Sequence, residues 1–437
     1  MLSFKDTLPT CLGVIKRREN MKSALRFIKF KVSVEQYLEG LFLHVKVDGT
    51  ECSDETTSTI KVEHPYFPLE DEKSQFSKIC YRLHSTLILC FAYGQVSSEF
   101  ANMVVAFGDM EAMTAASFVL LTNLVHLVKL YCFIFQRTKV QNLINSINRE
   151  EFKPKNSDDC NILLKDINRS KRITKSFWLM CFMVCLLFAI FPLLDKSQSE
   201  GIRLPLGGWY PFNTNESPVF QIVYVYQILA TYVNGIRNIS IDTFISGVIM
   251  VISGQLSLLN NEFQTINAKQ QDFGHNQVEI RKLLLRNVLH YKSIITFTDD
   301  VTTLFSTCLI SQFVVSVVII CMTMFQLSLV PVLSLQFLSM AMYQACMLLE
   351  IFLWCYYGNE VILKSTNLTM SAYRCGWVEF SKEFKQDLLF FMTRTQFPLK
   401  LYAGGYFTLS LDTFMAILKS SWSYFAMLNT VHSKEIV

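Results

Sequence analysis

Long apolar runs alternate with polar, charged segments along this chain of 437 residues. Seven windows reach the length of about 20 mainly apolar residues that crosses a hydrocarbon core as a helix. They are 79–105, 112–135, 175–194, 219–254, 301–327, 330–357 and 401–428. The pattern predicts an all-α, polytopic membrane protein with seven transmembrane helices.

Two of the polar segments keep a helical period. Within 138–175 and 260–299, polar residues interleave with Leu, Ile and Phe at helical spacing. We therefore expect the third and fifth spans to continue beyond the bilayer as amphipathic helices. The chain then divides into a cytoplasmic N-terminal segment, six spans, a cytoplasmic anchor region, and a last helix with a short extracellular tail, at 1–78, 79–357, 358–400 and 401–437.

The distribution of Lys and Arg predicts the orientation of the spans. Thirty-three of these residues lie in four polar segments, whereas the connections on the other side hold three; the four segments are 1–78, 136–176, 255–300 and 358–400. Because cationic residues near span ends are retained in the cytoplasm, we expect a cytoplasmic N-terminus and an extracellular C-terminus. A G-protein-coupled receptor has the opposite orientation.

Composition excludes several classes of protein. Hydrophobic residues make up 51% of the chain and charged residues 17%, and a net charge of +4 gives no indication of nucleic-acid binding. The sequence has no H-E-x-x-H, no G-x-S-x-G and no phosphate-binding glycine loop, so we expect neither an enzyme nor a cofactor. None of the 13 Cys falls in an outward segment, and we expect no structural disulfide.

Ionisable residues at membrane depth must face protein or water, because burying each one unpaired is costly. Many of them are expected to form structural pairs. Two lie in the last span, where Ser, Thr and Asn also make one face polar, as expected of a helix that lines a pore. The full set is Arg82, Glu99, His126, Lys129, Arg237, Asp242, Glu350, Asp412 and Lys419.

Aromatic and Met residues are concentrated in the outer halves of the second, third, fourth and sixth spans. They predict an apolar cavity edged by tyrosines, which suits a small volatile ligand with few hydrogen-bonding atoms. Plain packing of aromatics at helical spacing is the alternative interpretation. The candidate ligand contacts are Phe118, Phe188, Tyr224, Ile228, Tyr232, Phe337, Met340 and Tyr343.

The stretch from Phe352 to Val431 contains four ordered motifs: FLWCYYGNEV, SAYRCGWVEF, FPLKLYAGGYFTLSLDTF and SYFAML. In these motifs the chain resembles the insect odorant receptors. The resemblance implies an odorant-gated, non-selective cation channel in the plasma membrane of olfactory sensory neurons. Its implied partners are a volatile odorant, co-receptor subunits in a heterotetramer, membrane lipid and permeating cations.

The resemblance also implies roles for individual residues and for this subunit. Met427, Thr430 and Val431 occupy the positions that resemble the family's narrow hydrophobic gate. The linker between the fourth and fifth spans lacks the long insertion typical of the co-receptor, so the chain looks like an odour-tuning subunit. A seven-span chemoreceptor that acts through G proteins and a gustatory-type receptor channel are the alternatives.

Overall fold

The computed structural model describes residues 44–47, 60–63, 75–194, 204–214, 216–267, 276–332 and 334–435. Most of the predicted N-terminal segment lies outside the described residues, as does the side chain of Arg82. Asn215, which begins the glycosylation acceptor sequence Asn215-Glu216-Ser217, is also outside them. Within the N-terminal segment, a short antiparallel pair joins β1 and β2, at His44–Val47 and Ile60–Glu63.

The described chain is dominated by nine α-helices, which confirms the predicted all-α class. They are α1 Gln75–Val105, α2 Met110–Phe135, α3 Arg137–Ile147, α4 Ser157–Leu194, α5 Val219–Gln264, α6 Gln277–Leu329, α7 Leu335–Tyr373, α8 Lys382–Thr395 and α9 Leu411–Glu435. Helices α2, α4, α5, α6 and α7 are long and apolar enough to cross a membrane. Helix α1 covers the first predicted span and α9 covers most of the last.

Several helices are much longer than a bilayer requires. Helix α4 has 38 residues and begins well before the predicted third span, and α6 has 53 residues and begins well before the fifth. The predicted helical extensions of these two spans are confirmed from Ser157 and from Gln277 onward, whereas 137–152 forms the separate helix α3 and a short 3-10 helix. Helix α7 continues through Gly358 to Tyr373, so the predicted boundary at 358 falls inside one continuous helix.

Helix α5 is the central element of the bundle. Its most apolar stretch is wholly buried, and it packs against α4, α6 and α7. Beyond the apolar spans, α6 and α7 contact α8. The core in this region contains large aromatic side chains, among them Phe152, Phe263, Phe297, Phe384 and Phe391. The fold thus combines a membrane-spanning bundle with a helical region that continues from it.

The predicted start of the last span at 401 is wrong. Strands β3 and β4, at Tyr402–Ala403 and Phe407–Thr408, form a hairpin there, and α9 begins only at Leu411. Leu401 and Leu409 are fully buried, so contact with protein rather than lipid explains the apolar sequence. The turn residue Gly404 has φ of 62°, which favours glycine, and its N–H donates to Ser306 Oγ of α6 at 3.1 Å.

A partly buried ion pair stabilises the region beyond the spans. Lys155 Nζ lies 2.9 Å from Glu262 Oε1, and His290 Nδ1 lies 4.0 Å from Glu262 Oε2. Burial alone would raise the pKa of Glu262, but His290 and Lys155 lower it to about 2. Because the folded pKa is depressed, this stabilisation is present above the unfolded value of 4.5 and is lost as pH falls toward 2.

Glu262→Gln is therefore expected to lower the free energy of unfolding by about 2 kcal/mol at neutral pH. The purified variant should melt at a lower temperature than the unmodified protein. This difference in melting temperature should shrink as the pH falls below the pKa that the Glu262 carboxyl has in the unfolded chain. Glu279→Gln is the matched control, because Glu279 forms an exposed pair with Lys282 within one helix. Equal melting temperatures for the two variants would contradict a stabilising role for Glu262.

Candidate ligand site

A cavity of about 110 Å³ lies among α1, α2, α4, α5 and α7. It is comparable in size to engineered cavities of about 150 Å³ that bind benzene, so it suits a small molecule. Its wall consists of Gln95, Val119, Thr122, Asn123, His126, Phe177, Cys181, Val184, Cys185, Phe188, Leu206, Thr231, Asn234, Gly235, Asn238, Ile239, Tyr343, Cys346, Met347 and Glu350.

Loop 204–214 closes one end of this cavity. Gln227 of α5 accepts a hydrogen bond from the Leu206 N–H at 3.1 Å and donates to the Leu206 carbonyl at 3.1 Å. The Trp209 N–H donates to the carbonyl of Ser98 at the end of α1. These bonds hold the buried Leu206 side chain over the cavity, which separates it from solvent on that side.

Two of the predicted ligand contacts, Phe188 and Tyr343, lie in the cavity wall. Phe118 and Met340 belong to the same buried cluster as Tyr343, one layer behind the wall. The structure places four other candidates outside the wall, namely Tyr224, Ile228, Tyr232 and Phe337. The Tyr224 hydroxyl instead donates to the Ala189 carbonyl at 2.7 Å, which joins α5 to α4.

The polar side of the wall was not predicted from the sequence. Gln95 donates to Glu99 Oε1 at 2.9 Å and accepts from Asn234 Nδ2 at 3.1 Å. Asn123 donates to both Glu99 oxygens at 2.9 Å. Polar residues inside apolar runs are the only sequence signal for this network, and the same signal is typical of hydrogen bonds between packed helices.

A further polar contact joins α2 and α7, the helices that carry the aromatic residues Phe118 and Tyr343. Thr122 Oγ1 of α2 and the Tyr343 hydroxyl of α7 lie 2.5 Å apart. The Phe118 and Tyr343 rings are tilted against each other, with centroids separated by 5.3 Å. The position of the Tyr343 ring is therefore fixed both by packing and by a hydrogen bond.

Three charged groups meet beneath the end of the cavity that is farther from Leu206. Lys129 Nζ lies 2.6 Å from Asp242 Oδ1 and 2.5 Å from Glu350 Oε1, and each of the three side chains is at most 2% exposed. Asn238 accepts a further hydrogen bond from Lys129 at 3.1 Å. The sequence had marked these charges as buried pairs, and the structure identifies the partners. Glu350 also belongs to the cavity wall.

Helix α9 has one packed face and one uncovered face. Its packed face includes the buried Ile417 and Ser421 and contacts α6 and α7. The predicted gate residues are exposed in this single chain, with Met427 66% and Val431 40% accessible. The uncovered face also carries Thr430, Asp412, Lys419, Trp422 and Tyr424. A face that mixes apolar and charged groups in this way can border both water and other protein.

Comparison with known proteins identifies the family. The family model described as 7tm Odorant receptor matches residues 109–422. Odorant receptor Or1 of Anopheles gambiae is 26% identical over 360 residues, which cover 75% of this chain and 83% of that protein. Odorant receptor 46a, isoform A, of Drosophila melanogaster is 26% identical over 326 residues, which cover 74% and 84%.

A solved structure has the same fold. The olfactory receptor OR5 from Machilis hrabei, in complex with eugenol, superposes with a TM-score of 0.73 at 20% identity, covering 84% of this chain and 93% of that one. The resemblance in the motifs between Phe352 and Val431 thus extends over most of the chain. This chain belongs to the 7tm odorant receptor family.

Proposed function

We propose that this chain is the odour-tuning subunit of an odorant-gated, non-selective cation channel. A small, largely apolar volatile molecule binds in the cavity, and the channel opens a pore lined by α9 together with α9 of co-receptor subunits in a heterotetramer. The observation that carries the proposal is a ligand-sized cavity whose wall includes α7 and α2, because α7 packs against α9 and α2 contacts the end of α9. The relative from Machilis hrabei was solved with eugenol, a small aromatic molecule, which supports this class of ligand.

A physical connection between cavity and pore runs along α2. This helix supplies Thr122 and Asn123 to the cavity wall, and its first turn carries Glu111, whose Oε1 lies 3.6 Å from His432 Nε2 at the end of α9. Gln326 of α6 donates to both the Glu111 carbonyl and Thr114 Oγ1. A ligand that displaces α2 would therefore act on the end of α9 next to the proposed gate.

The proposal requires that the chain cross the membrane in the orientation opposite to that of a G-protein-coupled receptor. The unequal distribution of Lys and Arg supports a cytoplasmic N-terminus and an extracellular C-terminus. A C-terminal tag should bind antibody on intact cells, whereas an N-terminal tag should bind only after permeabilisation. The reverse labelling pattern would favour the receptor class that acts through G proteins.

The direct test is electrical recording from cells that express this chain with a co-receptor subunit. A panel of volatile compounds should contain at least one that evokes a cation current, and that current should persist when G-protein signalling is blocked with a non-hydrolysable GDP analogue. Cells expressing the co-receptor alone should not respond to the same compound. A response that disappears with the GDP analogue would contradict the channel function.

Two tyrosines provide a matched test of the cavity as the ligand site. Tyr343→Phe removes the hydroxyl that contacts Thr122 in the wall, and we expect a shift of about three- to tenfold in the half-maximal odorant concentration. Tyr224→Phe removes a hydroxyl that bonds to Ala189 outside the wall and should leave this concentration unchanged. Surface labelling measures how much of each variant reaches the cell surface, and the odour response is corrected for that amount. A shift for Tyr224→Phe alone would place the ligand elsewhere.

A further inference from the structure

We propose that the cavity selects ligands that carry a hydroxyl group, and that His126 is the residue that binds it. The inference rests on the proposed function, because it assigns the ligand class of the same cavity. It goes beyond that function in predicting volatile alcohols or phenols rather than apolar volatiles in general.

His126 is a buried polar side chain in the cavity wall, with 2% of its surface exposed. The Asn238 amide lies beside the ring, but neither ring nitrogen makes a well-formed hydrogen bond to any described residue. A buried donor or acceptor without such a bond is destabilising, and buried polar groups in native proteins nearly always have partners. A ligand in the cavity can supply the missing bond.

Burial favours the uncharged form of His126, because a charged side chain loses its hydration inside the protein. Lys129 follows it by one helical turn on the same face of α2, and its ammonium group is already paired with Asp242 and Glu350. A neutral imidazole carries one N–H donor and one nitrogen acceptor, so it can form a hydrogen bond with either an acceptor or a donor on the ligand.

The other groups at this end of the cavity favour a hydroxyl over a simple acceptor. Glu350 is in the wall, and a carboxylate can only accept hydrogen bonds. A hydroxyl both donates and accepts, so it can accept from the ring N–H of His126 and donate to Glu350. Ethers and ketones only accept, and hydrocarbons do neither.

The remainder of the wall fixes the character of the rest of the ligand. Val119, Val184, Phe188 and Met347 present apolar surface along the cavity, and Leu206 closes its far end. A cavity of this shape accepts a compact apolar body with one polar end directed at His126. A small aliphatic or aromatic alcohol has this form.

The test compares compounds in which a hydroxyl is replaced by a methyl group of similar size. Suitable pairs are hexanol with heptane, phenylethanol with propylbenzene, and para-cresol with para-xylene, each applied to cells that express this chain and the co-receptor. With the unmodified chain, the hydroxyl member of an active pair should act at about tenfold lower concentration than its partner. His126→Phe should abolish this difference or reverse it, and His126→Gln should retain part of it.

Phe188→Leu is the matched control, since it trims the apolar wall and should shift both members of a pair alike. A hydroxyl preference that survives His126→Phe, or activation by the hydrocarbons and not by the alcohols, would overturn the assignment while leaving the proposed channel function intact. If no compound in a broad volatile panel evokes a current at normal surface expression, the proposed function itself is contradicted. The assignment to His126 is then contradicted as well.

Discussion

Lys129→Met is expected to remove the receptor from the cell surface and abolish its odour response. The substitution leaves Asp242 and Glu350 buried without their cation, and both lie within 2.6 Å of Lys129 Nζ in the structure. Removing one member of a buried ion pair typically destabilises a protein by about 3–5 kcal/mol. That is a large part of the total stability of most folded proteins, about 5–15 kcal/mol.

A neutral triple variant separates the effect of charge from the effect of lost packing. Lys129→Met combined with Asp242→Asn and Glu350→Gln contains no buried charge and should recover surface expression, because buried ionic groups can often be replaced together without loss. Lys282→Met is the exposed control, at 65% accessibility, and should have little effect. Surface biotinylation and current amplitude give the readouts. Normal expression of the single Lys129 variant would contradict the structural role of the triad.

Substitutions at the proposed gate are expected to open the channel without odorant. Hydrophobic constrictions close pores by excluding water, so Met427→Ala or Val431→Ser should ease wetting. A shift of about 1 kcal/mol toward the open state raises a low open probability about fivefold. Because co-receptor subunits contribute to the same proposed pore, we expect a partial increase in basal current rather than a permanently open channel.

Met415→Ala is the matched control for the gate, because it removes the same side chain from another exposed position of α9. It should leave the basal current unchanged. Relative permeability to monovalent and divalent cations provides a second readout, which a change in expression does not affect. If both gate variants leave basal current and permeability as in the unmodified channel, Met427 and Val431 do not form the gate.

Hydrophobic periodicity predicted the helices well because most of them are long and apolar over many turns. It placed the start of the last span too early because residues buried in protein and residues facing lipid are equally apolar in sequence. Leu401 and Leu409 pack fully inside the protein, in a hairpin too short for a period-two pattern to emerge. The fold distinguishes this stretch from a membrane span, because β3 contacts α6 and Leu409 packs against Gly358 of α7.

The candidate site could be predicted only in part. Phe188 and Tyr343 were predicted from their residue types, but the faces that five helices turn toward one cavity depend on how those helices pack. The triad illustrates the same point, since Lys129 is 113 residues from Asp242 and 221 from Glu350. Sequence indicates that such charges need partners, and only the fold brings particular partners together.

Filling the cavity tests the central claim most directly. Gly235 of α5 lies in the wall, and a Cβ added there would be in ordinary contact with Cys185 Sγ at 3.4 Å, so the larger side chain of Gly235→Leu would extend into the cavity. Leu229→Phe adds bulk to an exposed position of the same helix and serves as the control. The measurement is the concentration dependence of the odour-evoked cation current in cells expressing each variant with the co-receptor. The account predicts that Gly235→Leu abolishes the response at normal surface expression, while Leu229→Phe preserves it; an unchanged response of Gly235→Leu would contradict the assignment of this cavity as the odorant site.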